Sequence, residues 1–248
     1  MEETNVQAVS NGKSPSPVLG NSTPAPPGNW HPRFAKPFPA IDQQTMRFIV
    51  GVIALSLPYL TNHFAMVGGP RLCSISESYW RGDWPQTIFV GFLFAIASFL
   101  VAYNGSTWLE MVLSKAAAIA ALGVAMFPCA CTEKPEIIPH LHYVCAGAMF
   151  AVLSYFCWAF LIRAREKGHK QAIMRATIYA LCGVTIVGCS LALAYNGLTQ
   201  DSMTVEYPHF VYWGEAGGLW AFGISWLTAS HVLPLVNARR ERHYLFRS

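Results

Sequence analysis

The sequence predicts an all-α fold, a polytopic bundle of six transmembrane helices, and three observations predict it. Charge is scarce: 12% of the 248 residues are Asp, Glu, Lys or Arg, about half the roughly 25% usual in soluble domains. Apolar residues reach 53%, so too few charges remain to coat a core in water. Six apolar stretches come close to the roughly 20 residues that a helix needs to cross a hydrocarbon core, and none alternates with the period of a barrel strand.

The first 45 residues are a different material. "NGKSPSPVLGNSTPAPPGNWHPRFAKPFPAI" is rich in Pro, Ser, Gly and Asn, and such a segment buries too little surface to offset its ordering entropy. Residues 1–45 are therefore expected to form a disordered cytoplasmic tail. They show neither the pattern of a secretory signal nor the second-position glycine that myristoylation requires.

The membrane domain is expected over 46–235. The first span runs from Met46 to Val67 and contains Pro58, which is expected to kink it. The second runs from Pro85 to Tyr103, with the proline at the helix start, where its missing N–H costs nothing. The third, Leu109 to Phe127, is rich in alanine. The fourth covers His142 to Ile162, the fifth Ala176 to Tyr195 and the sixth Phe210 to Leu233. Residues 236–248 form a short basic tail.

Orientation follows from Lys and Arg. Arg163, Arg165, Lys167, Lys170 and Arg175 lie between the fourth and fifth spans, Arg239, Arg240, Arg242 and Arg247 end the chain, and Arg33, Lys36 and Arg47 flank the first span. The opposite side has only Arg71, Arg81 and Lys134. Cytoplasmic loops carry the excess of Lys and Arg, so both termini are expected in the cytoplasm. The basic segments are read chiefly as topology determinants, with anionic lipid headgroups as the alternative. No nucleic-acid partner is expected. Both sequons, Asn21-Ser22-Thr23 and Asn104-Gly105-Ser106, fall on the cytoplasmic side and should carry no glycan. Lys115 is expected to snorkel to the inner surface.

That topology sorts the remaining polar residues to the outer side. Asn62 and His63 close the first span, and "CSISESYWRGDW" over 73–84 supplies Ser74, Ser76, Glu77, Arg81 and Asp83. The second outer loop gives Glu133, Glu136, His140 and His142, and the third gives Asn196, Asp201, Glu206, His209 and Glu215. Glu215 stands out, because an ionisable group inside a membrane helix is costly and usually faces the bundle interior or water. The expected ligand site is Ser76, Glu77, Asp83, His142 and Glu215, which together would hold the polar head of a membrane lipid.

Two other chemistries compete for these residues. His140, His142 and His209 with Asp83 offer enough ligands for zinc and would make a metal-dependent lipid amidase or esterase, although no HExxH pattern is present. A nucleophilic serine in "SISES" would need a base such as His142, without the elbow motif that usually presents it. Glu215 alone would suit a proton-coupled transporter, although no internal repeat is evident. The spacing of Gly214 and Gly218 lets helices approach closely, with the alanine-rich third span or a second copy of the chain as partner. Cys145, Cys157, Cys182 and Cys189 read as small apolar packers, whereas Cys73 could pair with Cys129 or Cys131 if the outer side is oxidising. Tyr79, Trp80, Trp84, Tyr207, Tyr212 and Trp213 read as interfacial anchors.

The order of "SISESYWRGDWPQTIFVGFLFAIASFLVAY", "AAIAALGVAMFP", "LHYVCAGAMFAVLSYFCWAFLIR" and "WGEAGGLWAFGISWL" resembles a group of six-span membrane proteins and the broader DRAM/Sfk-like assemblage. The resemblance covers residues 46–235 and rests on Ile75-Ser76-Glu77 after the first span and His142 in the fourth. It implies lipid or glycolipid handling. A more distant likeness is to the CREST membrane hydrolases, whose seven spans and HxxxH pair are not matched here.

Overall fold

In the computed structural model, the described residues are 42–130, 138–199 and 202–233. All regular structure among them is helical. Helix α1 spans Gln43–Gly68, α2 Ser78–Arg81, α3 Asp83–Ala102, α4 Trp108–Met126, α5 Leu141–Lys167, α6 Lys170–Leu198, α7 Ser202–Glu206 and α8 Phe210–Ala229. The six long helices match the six expected stretches. The tail expected over 1–45 lies outside the described residues except for its last four, and α1 begins three residues earlier than expected. The basic tail expected over 236–248 lies outside them altogether.

Helices α1, α3, α4, α5 and α6 are long and apolar enough to cross a membrane. Their packing supports the same conclusion. Only 22% of the most apolar window of α6 is buried within the chain, and Ile173, Leu181, Val184, Val187 and Leu191 stand exposed along it. Such a continuous apolar face is untenable in water but suits lipid. The chain is an all-α, multi-pass integral membrane protein. Helix α8 has the length but not the hydropathy, because Glu215, three glycines before Gly223 and several Trp and Tyr residues dilute it. It is instead a central element, with Ala216, Gly218, Phe222 and Trp226 buried.

Side-chain contacts show that successive long helices alternate in direction. At one end of the bundle, Arg47 at the start of α1 donates to Ala229 O at the end of α8 (3.2 Å) and to the Tyr103 hydroxyl after α3 (2.8 Å). Arg163 near the end of α5 pairs with Glu110 at the start of α4. At the other end, Tyr212 in the first turn of α8 donates to Pro58 O of α1 (2.9 Å). Between the ends, α1 and α8 cross at Gly51 and Gly223. A Cβ on Gly223 would come within 2.9 Å of the Gly51 carbonyl oxygen, and one on Gly51 within 3.0 Å of the Gly223 oxygen. Small residues let two backbones touch and gain dispersion contacts where lipid provides no hydrophobic drive.

The expected packing of Gly214 and Gly218 on the alanine-rich third span is corrected. A Cβ on Gly214 would meet Leu193 of α6, and one on Gly218 would meet Phe150 of α5. Both glycines face neighbours within the chain, and neither faces the alanine-rich α4. The alanines of α4 instead form a buried stripe that includes Ala117, Ala118, Ala121 and Ala125.

Candidate functional site

The loop after α1 is fastened at several points. Asn62, buried in the last turns of α1, accepts from Leu72 N at 3.3 Å. His209 Nδ1 donates to Leu72 O at 3.0 Å, and Tyr212 N donates to Cys73 O at 2.9 Å. Ser74 Oγ then accepts from Glu77 N at 3.0 Å, which caps the turn leading into α2. The Trp80 indole on α2 donates to Cys129 O at 2.9 Å and pins the segment to the end of α4. These bonds leave the backbone at Ile75 and Ser76 aimed at α8.

Glu215 meets that backbone one turn into α8. Its Oε2 accepts from Ile75 N at 2.5 Å and from Ser76 N at 3.4 Å, while its Oε1 lies 2.9 Å from Ser76 Oγ. His142, at the start of α5 and 3% exposed, places Nε2 3.0 Å from the same Ser76 Oγ. Its Nδ1 lies 2.8 Å from Phe127 O. A carbonyl only accepts, so Nδ1 carries a hydrogen.

Hydrogen accounting then restricts the cluster. In one arrangement a protonated Glu215 donates to Ser76 Oγ, and the Ser76 hydroxyl donates to a neutral His142. In the other, the hydroxyl donates to a Glu215 carboxylate and an imidazolium Nε2–H donates to Ser76 Oγ. Both satisfy the contacts of Ser76 with Glu215 and His142, hold the same number of protons and interconvert by shifting two of them along the chain. A carboxylate facing a neutral His142 would leave one of the two contacts of the Ser76 hydroxyl without a hydrogen between its atoms. The contacts Glu215–Ser76–His142 thus suit one proton shared along the chain, in surroundings where an unpaired polar group is expensive.

Beside this chain lies a space of about 30 Å³ between Ser76, Glu215 and apolar side chains including Leu57, Phe89, Phe150 and Leu219. It has room for about one water molecule or one group of similar size.

Of the expected site residues, the structure brings together Ser76, His142 and Glu215. Glu77 and Asp83 do not join them. Glu77 forms an ion pair with Arg81 (2.8 Å) and accepts from Cys73 N (2.7 Å). Asp83 is exposed at the head of α3 with φ 45°, just after Gly82 at φ 72°. Its charge complements the helix dipole, and the abrupt turn carries it away from the cluster. His140 is exposed at the N-cap of α5 with φ 61°, and His209 is engaged with Leu72. Among the described residues, no three or more His, Cys, Asp or Glu side chains gather to hold a metal, so His140, His142 and His209 do not form the zinc set considered above. Glu133, Glu136, Lys134 and Asp201 lie outside the described residues.

The expected cysteine pairing is also corrected. Cys129 is disulfide-bonded while Cys73 is free, so the first outer loop is not tied to the second through Cys73. Cys73 lies exposed, outside the long helices. Burial of the sulfur and the neighbouring Glu77 carboxylate push its thiol up, with Arg81 acting in the opposite sense.

Three further groups support the site. The Phe127 carbonyl orients His142, Asn62 holds the loop, and Asn196, 2% exposed, accepts from Met203 N and Thr204 N to anchor α7. Asn62 and Asn196 stand among the polar residues that the sequence gathers on the outer side, without these roles. The carbonyl carries no signal in the sequence. No family model, no curated protein and no solved structure matches the chain.

Proposed function

We propose that this multi-pass membrane protein binds and handles a membrane lipid at the Glu215–Ser76–His142 chain, on the side facing away from the cytoplasm. The observation that carries the reading is a polar cluster of Glu215, Ser76 and His142 beside an apolar-lined space within the bundle. An amphiphile needs that combination. The small volume limits what enters: a single hydroxyl or amino group of a headgroup, exchanging hydrogen bonds with Ser76 and Glu215. Exposed Trp84, Tyr207 and Trp213 at the same end suit the headgroup level, and Arg71 lies over the Trp213 ring at 5.2 Å. Lipid handling is also what the likeness to the DRAM/Sfk-like assemblage implies.

The orientation belongs to the proposal. Helix α8 is taken as a sixth crossing, and the Lys and Arg excess places the opposite end, with both termini, in the cytoplasm.

The test is photo-crosslinking of clickable lipids to the purified protein in nanodiscs. Crosslinks are expected within residues 71–81 and the head of α8, and they should fall at least fivefold in Glu215→Ala and His142→Ala. Undiminished crosslinking in both variants would rule out the cluster as the lipid site.

One observation favours a second reading. Ser76 Oγ lies within hydrogen-bond distance of both Glu215 and His142, a relay of the kind a proton-coupled transporter would use, and proton uptake that accompanies solute movement in sealed vesicles and stops in Glu215→Gln would favour it.

A further inference from the structure

A cavity of about 190 Å³ opens at the end of the bundle opposite Glu215. Arg47, Arg163, Lys167 and Arg175 line it, with Tyr179 and His231. The cations come from three helices, since Arg47 begins α1, Arg163 and Lys167 end α5, and Arg175 lies in the second turn of α6. The fold therefore gathers positive charge that the sequence spreads over about 130 positions.

Several of these groups are held in place. Arg47 is fixed by Ala229 O and the Tyr103 hydroxyl, and Arg163 by Glu110. The two guanidinium groups lie over the same Phe160 ring, 5.3 and 5.2 Å from its centroid. Arg175 is 1% exposed. Each of the first two retains a buried donor that no group accepts among the described residues: Nε of Arg47 and Nη2 of Arg163. Among the described residues, Arg163 pairs with the Glu110 carboxylate.

Like charges confined in partly buried space repel, and buried unpaired donors are costly. A multiply charged anion with several acceptor oxygens removes both penalties. Planar guanidinium forks match phosphate oxygens especially well. We propose that this cavity is a binding site for a phosphate group, carried either by an anionic lipid headgroup or by a soluble phosphate compound. The site is separate from the Glu215–Ser76–His142 chain and does not depend on the function proposed for it.

Two probes distinguish the sources. Full-length protein in detergent is titrated with inorganic pyrophosphate, and protein in phosphatidylcholine nanodiscs is titrated with short-chain phosphatidic acid. Binding of at least one probe is expected, weakened about ten- to a hundredfold by Arg47→Gln, the range for a lost charge-assisted hydrogen bond. Lys167→Gln, at an exposed position that folding should tolerate, is expected to weaken binding severalfold. Lys115→Gln should leave it unchanged. Lys115 is a cation of the same bundle end that donates to Tyr103 O and Asn104 Oδ1 outside the cavity. Binding of pyrophosphate alone assigns a soluble ligand, and binding of phosphatidic acid alone assigns a headgroup. Failure of both probes to bind, or binding indifferent to Arg47→Gln and Lys167→Gln in folded protein, would overturn the proposal.

Discussion

The two ends of the bundle solve the problem of polar groups in a membrane protein in opposite ways. At the Ser76 end, an acid, a hydroxyl, an imidazole and two backbone N–H groups satisfy one another, and the space beside them takes about one water. At the arginine end, Arg47 Nε and Arg163 Nη2 are buried without an acceptor among the described residues, and the cavity is about six times larger, 190 against 30 Å³. The difference teaches that placement of charge does not by itself define a site. Internal satisfaction gives one end a self-contained hydrogen-bonded cluster. At the other, the unpaired guanidinium donors are the basis of the phosphate site proposed there.

The largest expected effect comes from cutting the closed end. Glu215→Ala removes the partner of two backbone N–H groups and of the Ser76 hydroxyl and should destabilise the protein by about 3 kcal/mol, on the scale of 1–3 kcal/mol for each buried group left unpaired. The matching cut at the other end, Glu110→Ala, should cost less, about 1–2 kcal/mol, because Arg163 keeps partial access to solvent. Thermal unfolding in one detergent measures both, and equal losses would erase the distinction between the ends.

A smaller effect reports orientation. A membrane-impermeant maleimide should label Cys73 from the non-cytoplasmic side of intact cells, and Cys73→Ser should abolish that labelling. The thiolate is the reacting form, and burial with Glu77 holds the thiol up. Labelling should therefore accelerate with rising pH, at higher pH than for an ordinary surface cysteine. Labelling only after permeabilisation would reverse the topology.

The long elements were legible because a membrane helix is written as length and apolarity. The starts and ends of α3, α4 and α8 follow the expected stretches to within a few residues, whereas α5 and α6 extend past the apolar core to Lys167 and from Lys170. Those basic turns remain helical without being apolar. At the site, Ser76, His142 and Glu215 could be nominated as polar residues on one side, but Glu77 and Asp83 were equally eligible. What separated them was local geometry: Arg81 one turn after Glu77 captures it, and the positive φ of Gly82 and Asp83 turns the latter outward. The arginine cavity was less legible still. Its cations read as topology signals, and Glu110, hidden at 2% exposure, stands as an ordinary first-turn acid after Thr107.

The central claim is that Glu215 and His142 act as a unit through Ser76, and a double-mutant cycle tests it most directly. Unfolding free energies are compared for Glu215→Gln, His142→Ala and the double variant, and again in a Ser76→Ala background. The account predicts a coupling of about 1 kcal/mol or more that disappears when Ser76 is replaced. Additivity within about 0.3–0.5 kcal/mol, the range for independent sites, or coupling that survives the loss of Ser76, would contradict it.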